Sequence, residues 1–125
     1  MSEQRDFADC QDCRCLAARK EAQRLSRLYD EGLRPHGLTI NQFSMLTTLI
    51  LAGPLPMVKL ATLLGIERTT LTRNVALGQK AGLVATRPGR DGRERIVSLT
   101  ATGMRRAEEA LPAWRAAQAR VMRGE

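Results

Sequence analysis

The chain has 125 residues, 20 Lys and Arg against 13 Asp and Glu, a formal net charge of +7, and an aromatic content of only 3%. That is one domain's length, lean for a self-sufficient core, so a partner subunit is expected, and the basic excess favours polyanionic partners over acidic ones. No apolar run approaches the ~18 residues of a membrane span, and the polar N-terminus lacks the apolar stretch of a secretion signal, so the sequence reads as that of a cytoplasmic protein without a membrane partner.

Three thiols, Cys10, Cys13 and Cys15, crowd into six residues at or just before the first helix. Arg14, Arg19, Lys20 and a helix N-terminus favour oxidation there, while Asp9 and Asp12 oppose it. Three soft ligands would also suit zinc, copper(I) or arsenite, with His36 or a partner subunit needed for a fourth. An odd count does not make a complete disulfide framework, so the thiols read as incidental, redox-active or metal-binding.

Apolar residues Leu16, Ala18, Ala22, Leu25, Leu28 and Tyr29 recur three or four apart, which predicts a first helix over residues 12–33 ended by Arg34, Pro35, His36 and Gly37. His36, the one histidine, falls in that turn, where exposure or backbone bonding is the ordinary expectation. Thr39 is placed to cap a second helix through Leu51, burying Phe43, Leu46, Leu49 and Ile50, before residues 53–56 break the chain.

Residues 57–80 then read as two helices across a tight turn, with Ala61 at their closest approach and Gly65 at the corner. Leu60, Leu64, Ile66 and Leu71 fall where the helices share a core. Thr69, Thr70, Thr72 and Arg73 point away, with Arg68 steadying the entry, as a helix entering a major groove requires. Gly82 closes the second helix, and residues 83–87 and 96–99 form a short hairpin around a tip of Pro88, Gly89, Arg90, Asp91, Gly92 and Arg93. An arginine inserted into a minor groove gains from its concentrated negative potential. Arg93 is the candidate, with Arg87, Arg90 and Arg95 nearer phosphates and Asp91 holding an arginine in place. Residues 66–99 carry seven basic against three acidic side chains, more than half of the chain's excess.

Thr100 is placed to cap the last helix, in which Met104, Ala107, Leu111, Trp114, Gln118 and Val121 alternate in steps of three and four. This a/d seam is expected to pack on the first helix and on its equivalent in a second subunit, or else back on its own domain, with a kink at Pro112. For Tyr29, Phe43 and Trp114, core packing is the plainer account.

In this order the parts resemble the MarR-type (multiple-antibiotic-resistance regulator) winged-helix repressors. The resemblance is carried by Gly37, Leu38, Thr39, Gln42 and Phe43, by residues 60–66 and 68–73, by Gly82, Leu83 and Val84, by Asp91, Gly92 and Arg93, and by residues 99–103. It implies a homodimer with interlocked first and last helices, recognition helices in major grooves, wings in adjacent minor grooves, and Arg93 as the wing's groove residue supported by Asp91. It also makes Cys15 and Cys13 candidate peroxide sensors, and Tyr29, Phe43 and Trp114 candidates to line an effector crevice for small aromatic ligands. Asn74 and Gly78 depart from the family's aliphatic pattern. Gly78 costs about 1 kcal/mol of helix propensity against Ala unless it permits close packing, and Val75 and Leu77 are available to compensate. The family's usual final helix has no counterpart here, so the expectation is either a truncated chain or a smaller dimer.

The expectation is a mainly α fold with a small β-hairpin wing: an arm and dimerisation helix over residues 1–35, a winged helix-turn-helix over 36–99 and a second dimerisation helix over 100–125. The function expected is sequence-specific binding of pseudo-palindromic double-stranded DNA by a homodimeric repressor, released by a small-molecule effector or by thiol oxidation. A metal or metalloid sensor on this scaffold and a protein-interaction module are the alternatives. No cofactor is expected, save metal at the cysteines. No paired nucleophile and histidine, phosphate loop or gathered carboxylates point to an enzyme.

Overall fold

In the computed structural model, which describes residues 2–125, a short helix α1 (Ser2–Asp6) and a 3-10 turn (Ala8–Asp12) precede the long helix α2 (Arg14–Leu33). The expected arm is thus helical. Its polar residues lack the apolar periodicity by which helices are recognised in sequence.

Helix α3 (Ile40–Ala52) begins at a reciprocal capping box: Thr39 Oγ1 accepts from Gln42 N at 3.2 Å while Gln42 Oε1 accepts from Thr39 N at 3.0 Å. Asp30, reaching across from α2, accepts from Ile40 N at 2.7 Å. The helix is the centre of the core, burying Phe43, Met45, Leu46 and Leu49, while Ile50 is half-buried rather than enclosed.

The break at residues 53–56 hides a strand. Leu55–Pro56 (β1) pairs antiparallel with Val97 and Ile96, so the wing is a three-stranded sheet of order β1-β3-β2, in which β2 is Val84–Pro88 and β3 is Arg95–Leu99. Two residues containing a proline carry no alternation for a sequence reading to detect, and Pro56 is tolerated because β1 is an edge.

Helices α4 (Met57–Leu64) and α5 (Arg68–Lys80) form the helix-turn-helix. Gly65, at φ 66°, donates to Thr62 O and Ile66 donates to Ala61 O, both at 3.1 Å, a Schellman turn that reverses the chain. Leu60, Ala61 and Leu71 are buried at the shared face, with Leu64 and Ile66 packed beside them. The α5 terminus repeats the device, Gly82 bonding Gln79 O at 3.0 Å and Leu83 bonding Gly78 O at 2.8 Å. Gly78 resolves its own departure. A Cβ there would lie 3.0 Å from Val84 Cγ2 and 3.1 Å from Met45 Cε, so its absence lets α5 press onto the sheet and α3. Leu77, by contrast, is 51% exposed and compensates for nothing.

Helix α6 (Ala101–Met122) starts on a latch. Thr100 Oγ1 accepts from Gly103 N at 2.9 Å and donates to Gly82 O at 2.6 Å, and Thr100 N donates to Leu83 O at 3.1 Å. The helix continues as one element across Pro112, an exposed position. Its inward stripe is Gly103, Ala107, Ala110 and Ala117: Gly103 packs against Leu83 and Leu99 at the start of the helix, and Ala117 lies beside Gly32 of α2. The predicted seam is therefore shifted: Met104 is 38% exposed and Leu111 and Gln118 are half-buried at the edge of that face. Small residues win the inward positions where neighbours come close: a Cβ at Gly103 would meet Leu83 O, and Ala117 already lies against Gly32. In α2 the apolar periodicity splits likewise: Leu25, Leu28 and Tyr29 pack inward, whereas residues 14–24, including Leu16, Ala18 and Ala22, are exposed along their whole length.

Candidate nucleic-acid interface

The exposed face of α5 follows from its buried one. Leu71, Val75 and Gly78 face inward, which turns Arg68, Thr69, Thr70, Thr72 and Arg73 outward, all exposed. Thr72 Oγ1 donates back to Arg68 O at 2.9 Å, leaving its lone pairs to accept from outside.

At the wing tip, Gly89 N bonds Glu94 O at 2.7 Å and Gly92 N bonds Gly89 O at 3.1 Å, closing the loop. Asp91 does not hold an arginine side chain, as expected from sequence. Its Oδ1 accepts from the backbone N–H groups of Arg93 at 3.0 Å and Glu94 at 3.1 Å, an Asx-type turn in which the nearest donors lie two and three residues on. Those bonds hold its carboxyl below the ordinary range. Arg87, Arg90, Arg93 and Arg95 are all exposed.

The tertiary fold joins what the sequence separates. A recess of about 180 Å³ is lined by Arg68 at the start of α5, by Arg93 and Arg95 of the wing, and by Glu94, Pro56, Met57 and Val58. On the other side of the wing a shallower concavity of about 540 Å³ carries Arg87 and Arg90 with Asp91 and Glu94, beside Pro54 and Ile96. None of these arginines takes part in the ion pairs found among the described residues, which join Arg24 to Glu21 and both Arg120 and Arg123 to Glu125. Arg68, Arg93 and Arg95, none of them in those ion pairs, thus lie beside a helix face of hydroxyls, suited to phosphate and base edges. Two residues of this surface escaped the sequence reading, Gln79 and Thr86, because only the folded hairpin brings them together.

Away from this face, Tyr29, Phe43 and Trp114 do assemble. Their rings stack with centroids 6.3 Å (Tyr29 and Trp114) and 6.2 Å (Phe43 and Trp114) apart, and Tyr29 donates its hydroxyl hydrogen bond to Gln118 Oε1. Phe43 is a core residue, 3% exposed, yet its edge borders an open groove of about 310 Å³ with Thr47, Leu51, Leu111 and Trp114. Cys10, Cys13 and Cys15 are free and exposed, with Cys13 at the N-cap of α2. The backbone carbonyl of His36, in the turn after α2, accepts from Arg106 at 2.6 Å, and among the described residues no group of three or more His, Cys, Asp or Glu is placed to hold a metal.

A helix-turn-helix entered from a short edge strand and followed by a hairpin with a basic tip, set between long helices, defines the winged-helix class of transcriptional regulators. A profile of the MarR family matches residues 36–94. The structure of the M. tuberculosis transcriptional regulator MosR in complex with DNA is 42% identical, covers 90% of this chain and 83% of its own, and superposes with a TM-score of 0.84. A probable transcriptional regulator from Pseudomonas aeruginosa is 28% identical with a TM-score of 0.80, over 93% of this chain and 87% of its own. Among curated relatives, the HTH-type transcriptional regulator YwoH of Bacillus subtilis is 32% identical over 90 residues, 72% of this chain and 66% of its own length, so the match spans just under two thirds of that relative. The chain belongs to the MarR family of transcriptional regulators.

Proposed function

We propose that the chain is a sequence-specific double-stranded-DNA-binding repressor that acts as a homodimer on a pseudo-palindromic operator in the cytoplasm. The observation that carries this reading is the convergence of Arg68, Arg93 and Arg95 on one recess with a single carboxylate, Glu94, which sets the entry of α5 and the wing side by side on one basic face. The likeness to a regulator solved in complex with DNA supports it. Thr69, Thr70, Thr72 and Arg73 approach bases and nearby phosphates in the major groove, Arg93 enters the minor groove, and Arg87, Arg90 and Arg95 meet the backbone. The test is selection of 40-bp duplexes from a random pool by the full chain. Enrichment of an inverted repeat with half-sites about one helical turn apart is expected; recovery of unrelated sequences alone refutes the reading.

For release, three exposed thiols within six residues favour oxidation. One 3-10 turn joins two of them, Cys13 N bonding Cys10 O at 3.2 Å. A hydroperoxide transfers its terminal oxygen to one thiolate, leaving as an alcohol. A second thiol then attacks the sulfenic acid, expelling water as the S–S bond forms. Hydroperoxide is expected to release wild-type protein from the selected duplex and to leave a variant lacking all three cysteines bound. Release of that variant excludes the thiols as the switch and turns attention to a small apolar or aromatic effector in the groove beside Phe43 and Trp114.

A further inference from the structure

Thr86 lies on β2 opposite Val97 and is half-buried, while its neighbours Ala85, Arg87 and Pro88 are exposed. It is therefore the outermost residue of β2 that still turns toward the body of the protein. Its Oγ1 accepts two hydrogen bonds, from Gln79 Nε2 on the last turns of α5 at 3.1 Å and from Arg95 Nη2 on β3 at 2.9 Å. Arg95 sits two residues from Val97, the cross-strand partner of Thr86, and so shares its face of the sheet. Both lone pairs of the hydroxyl are thus used, and one oxygen joins the recognition helix to both strands of the hairpin. Among the described residues, the bond from Gln79 is the one side-chain hydrogen bond between α5 and the sheet.

The consequence is geometric. Apolar packing fixes the root of the wing, where Val84 meets Gly78 and Val97 is buried, but beyond Val84 the hairpin projects with no further apolar anchor on β2. The angle between α5 and the outer wing decides whether a helix in one groove and an arginine in the next can be seated together. Arg95 also lines the recess shared with Arg68 and Arg93, so holding one of its Nη atoms leaves the rest of its fork aimed for a phosphate.

We propose that Thr86 is a positioning residue for DNA reading: by accepting from Gln79 and Arg95 at once, its hydroxyl sets the angle between recognition helix and wing. This rests on the DNA-binding reading above and deepens it. A merely structural threonine would be replaced without loss by valine, which keeps the shape and β-branching and removes only the acceptor.

The test measures affinity for a duplex enriched from the random pool and for its scrambled counterpart at fixed salt. Thr86→Val should weaken binding of the enriched duplex about threefold to tenfold, the size of one or two lost hydrogen bonds, while leaving the scrambled duplex within about twofold. Thr86→Ser should behave as wild type. Gln79→Met should also lose discrimination, and the Gln79→Met, Thr86→Val double variant should lose no more than Thr86→Val alone. An unchanged ratio in Thr86→Val, equal loss in Thr86→Ser, or additive losses in the double variant each overturn the proposal. If wild-type protein itself fails to discriminate the two duplexes, the DNA-reading assignment fails and the proposal falls with it. A discriminating wild type beside an unaffected Thr86→Val leaves that assignment standing and sinks only the role of Thr86.

Discussion

Arg93 projects from the wing because Asp91 ties down the backbone beneath it, not because a carboxylate grips its guanidinium. The side chain is therefore free for DNA, and Arg93→Ala should cost about 1 to 3 kcal/mol of affinity for the selected duplex in a titration at fixed salt. Affinity within error of wild type would remove Arg93 from the interface. Asp91→Asn keeps an acceptor oxygen and should retain most of the binding, while Asp91→Ala, which opens the turn, should lose as much as Arg93→Ala. The pH dependence has a definite sign. With its folded pKa depressed below the ordinary 3.8, Asp91 contributes to tip order above that value, and the contribution is lost as pH falls through the folded pKa. Amide resonances of Arg93 and Glu94 should accordingly hold steady from pH 5 to 8, as estimated from the reference carboxylate range, and move only in stronger acid; a transition near neutrality would show that another group orders the tip. Spacing made Asp91, Gly92 and Arg93 readable as a turn, but which donor a short carboxylate captures depends on backbone torsions that the sequence does not display.

Among the elements, the junction of α5, β2 and α6 is the least tolerant. A Cβ at Gly103 would fall 2.1 Å from Leu83 O and 2.9 Å from Leu99 Cδ1. Because the nearest atom belongs to the backbone, the start of α6 has to move, and Gly103→Ala should destabilise the fold by roughly 1 to 3 kcal/mol or more in urea denaturation. At Gly78 the nearest atoms are the ends of Val84 and Met45, which can yield, and alanine also regains about 1 kcal/mol of helix propensity. Gly78→Ala should therefore change stability far less than Gly103→Ala, and the reverse order would contradict this packing account. Removing the capping hydroxyl with Thr39→Ala should cost about 1 kcal/mol in the same assay. The helices, the Thr39 and Thr100 caps and the hairpin were legible because each has a local signature. The strand Leu55–Pro56, the helical arm and the inward stripe of α6 were not. The first is too short for a pattern, the second too polar, and the third is decided by how closely neighbouring elements approach, a tertiary quantity.

At the scale of the molecule, the exposed first half of α2 and the large residues left at the edge of α6 fit the homodimer proposed above. Leu16→Glu, together with Met104→Glu, should lower the mass seen in sedimentation equilibrium from dimer to monomer and reduce operator affinity in parallel, since each half-site would then be bound singly. A variant still dimeric would place the interface elsewhere. Affinity should also fall linearly in log–log form with added salt, because each neutralised phosphate releases counterions. Charge partition made that face legible from sequence alone, whereas the meeting of Arg68 with Arg93 and Arg95 needed the chain to turn back through the sheet.

The wing sheet has two edges, β1 and β2, and each ends in a proline, Pro56 and Pro88. Neither residue has an amide hydrogen to offer a visiting strand. Bare strand edges invite chains to pair edge to edge and aggregate. Two rings without N–H groups leave each outer strand with an end that cannot donate to a visiting chain, so the wing carries a built-in brake on edge-to-edge pairing.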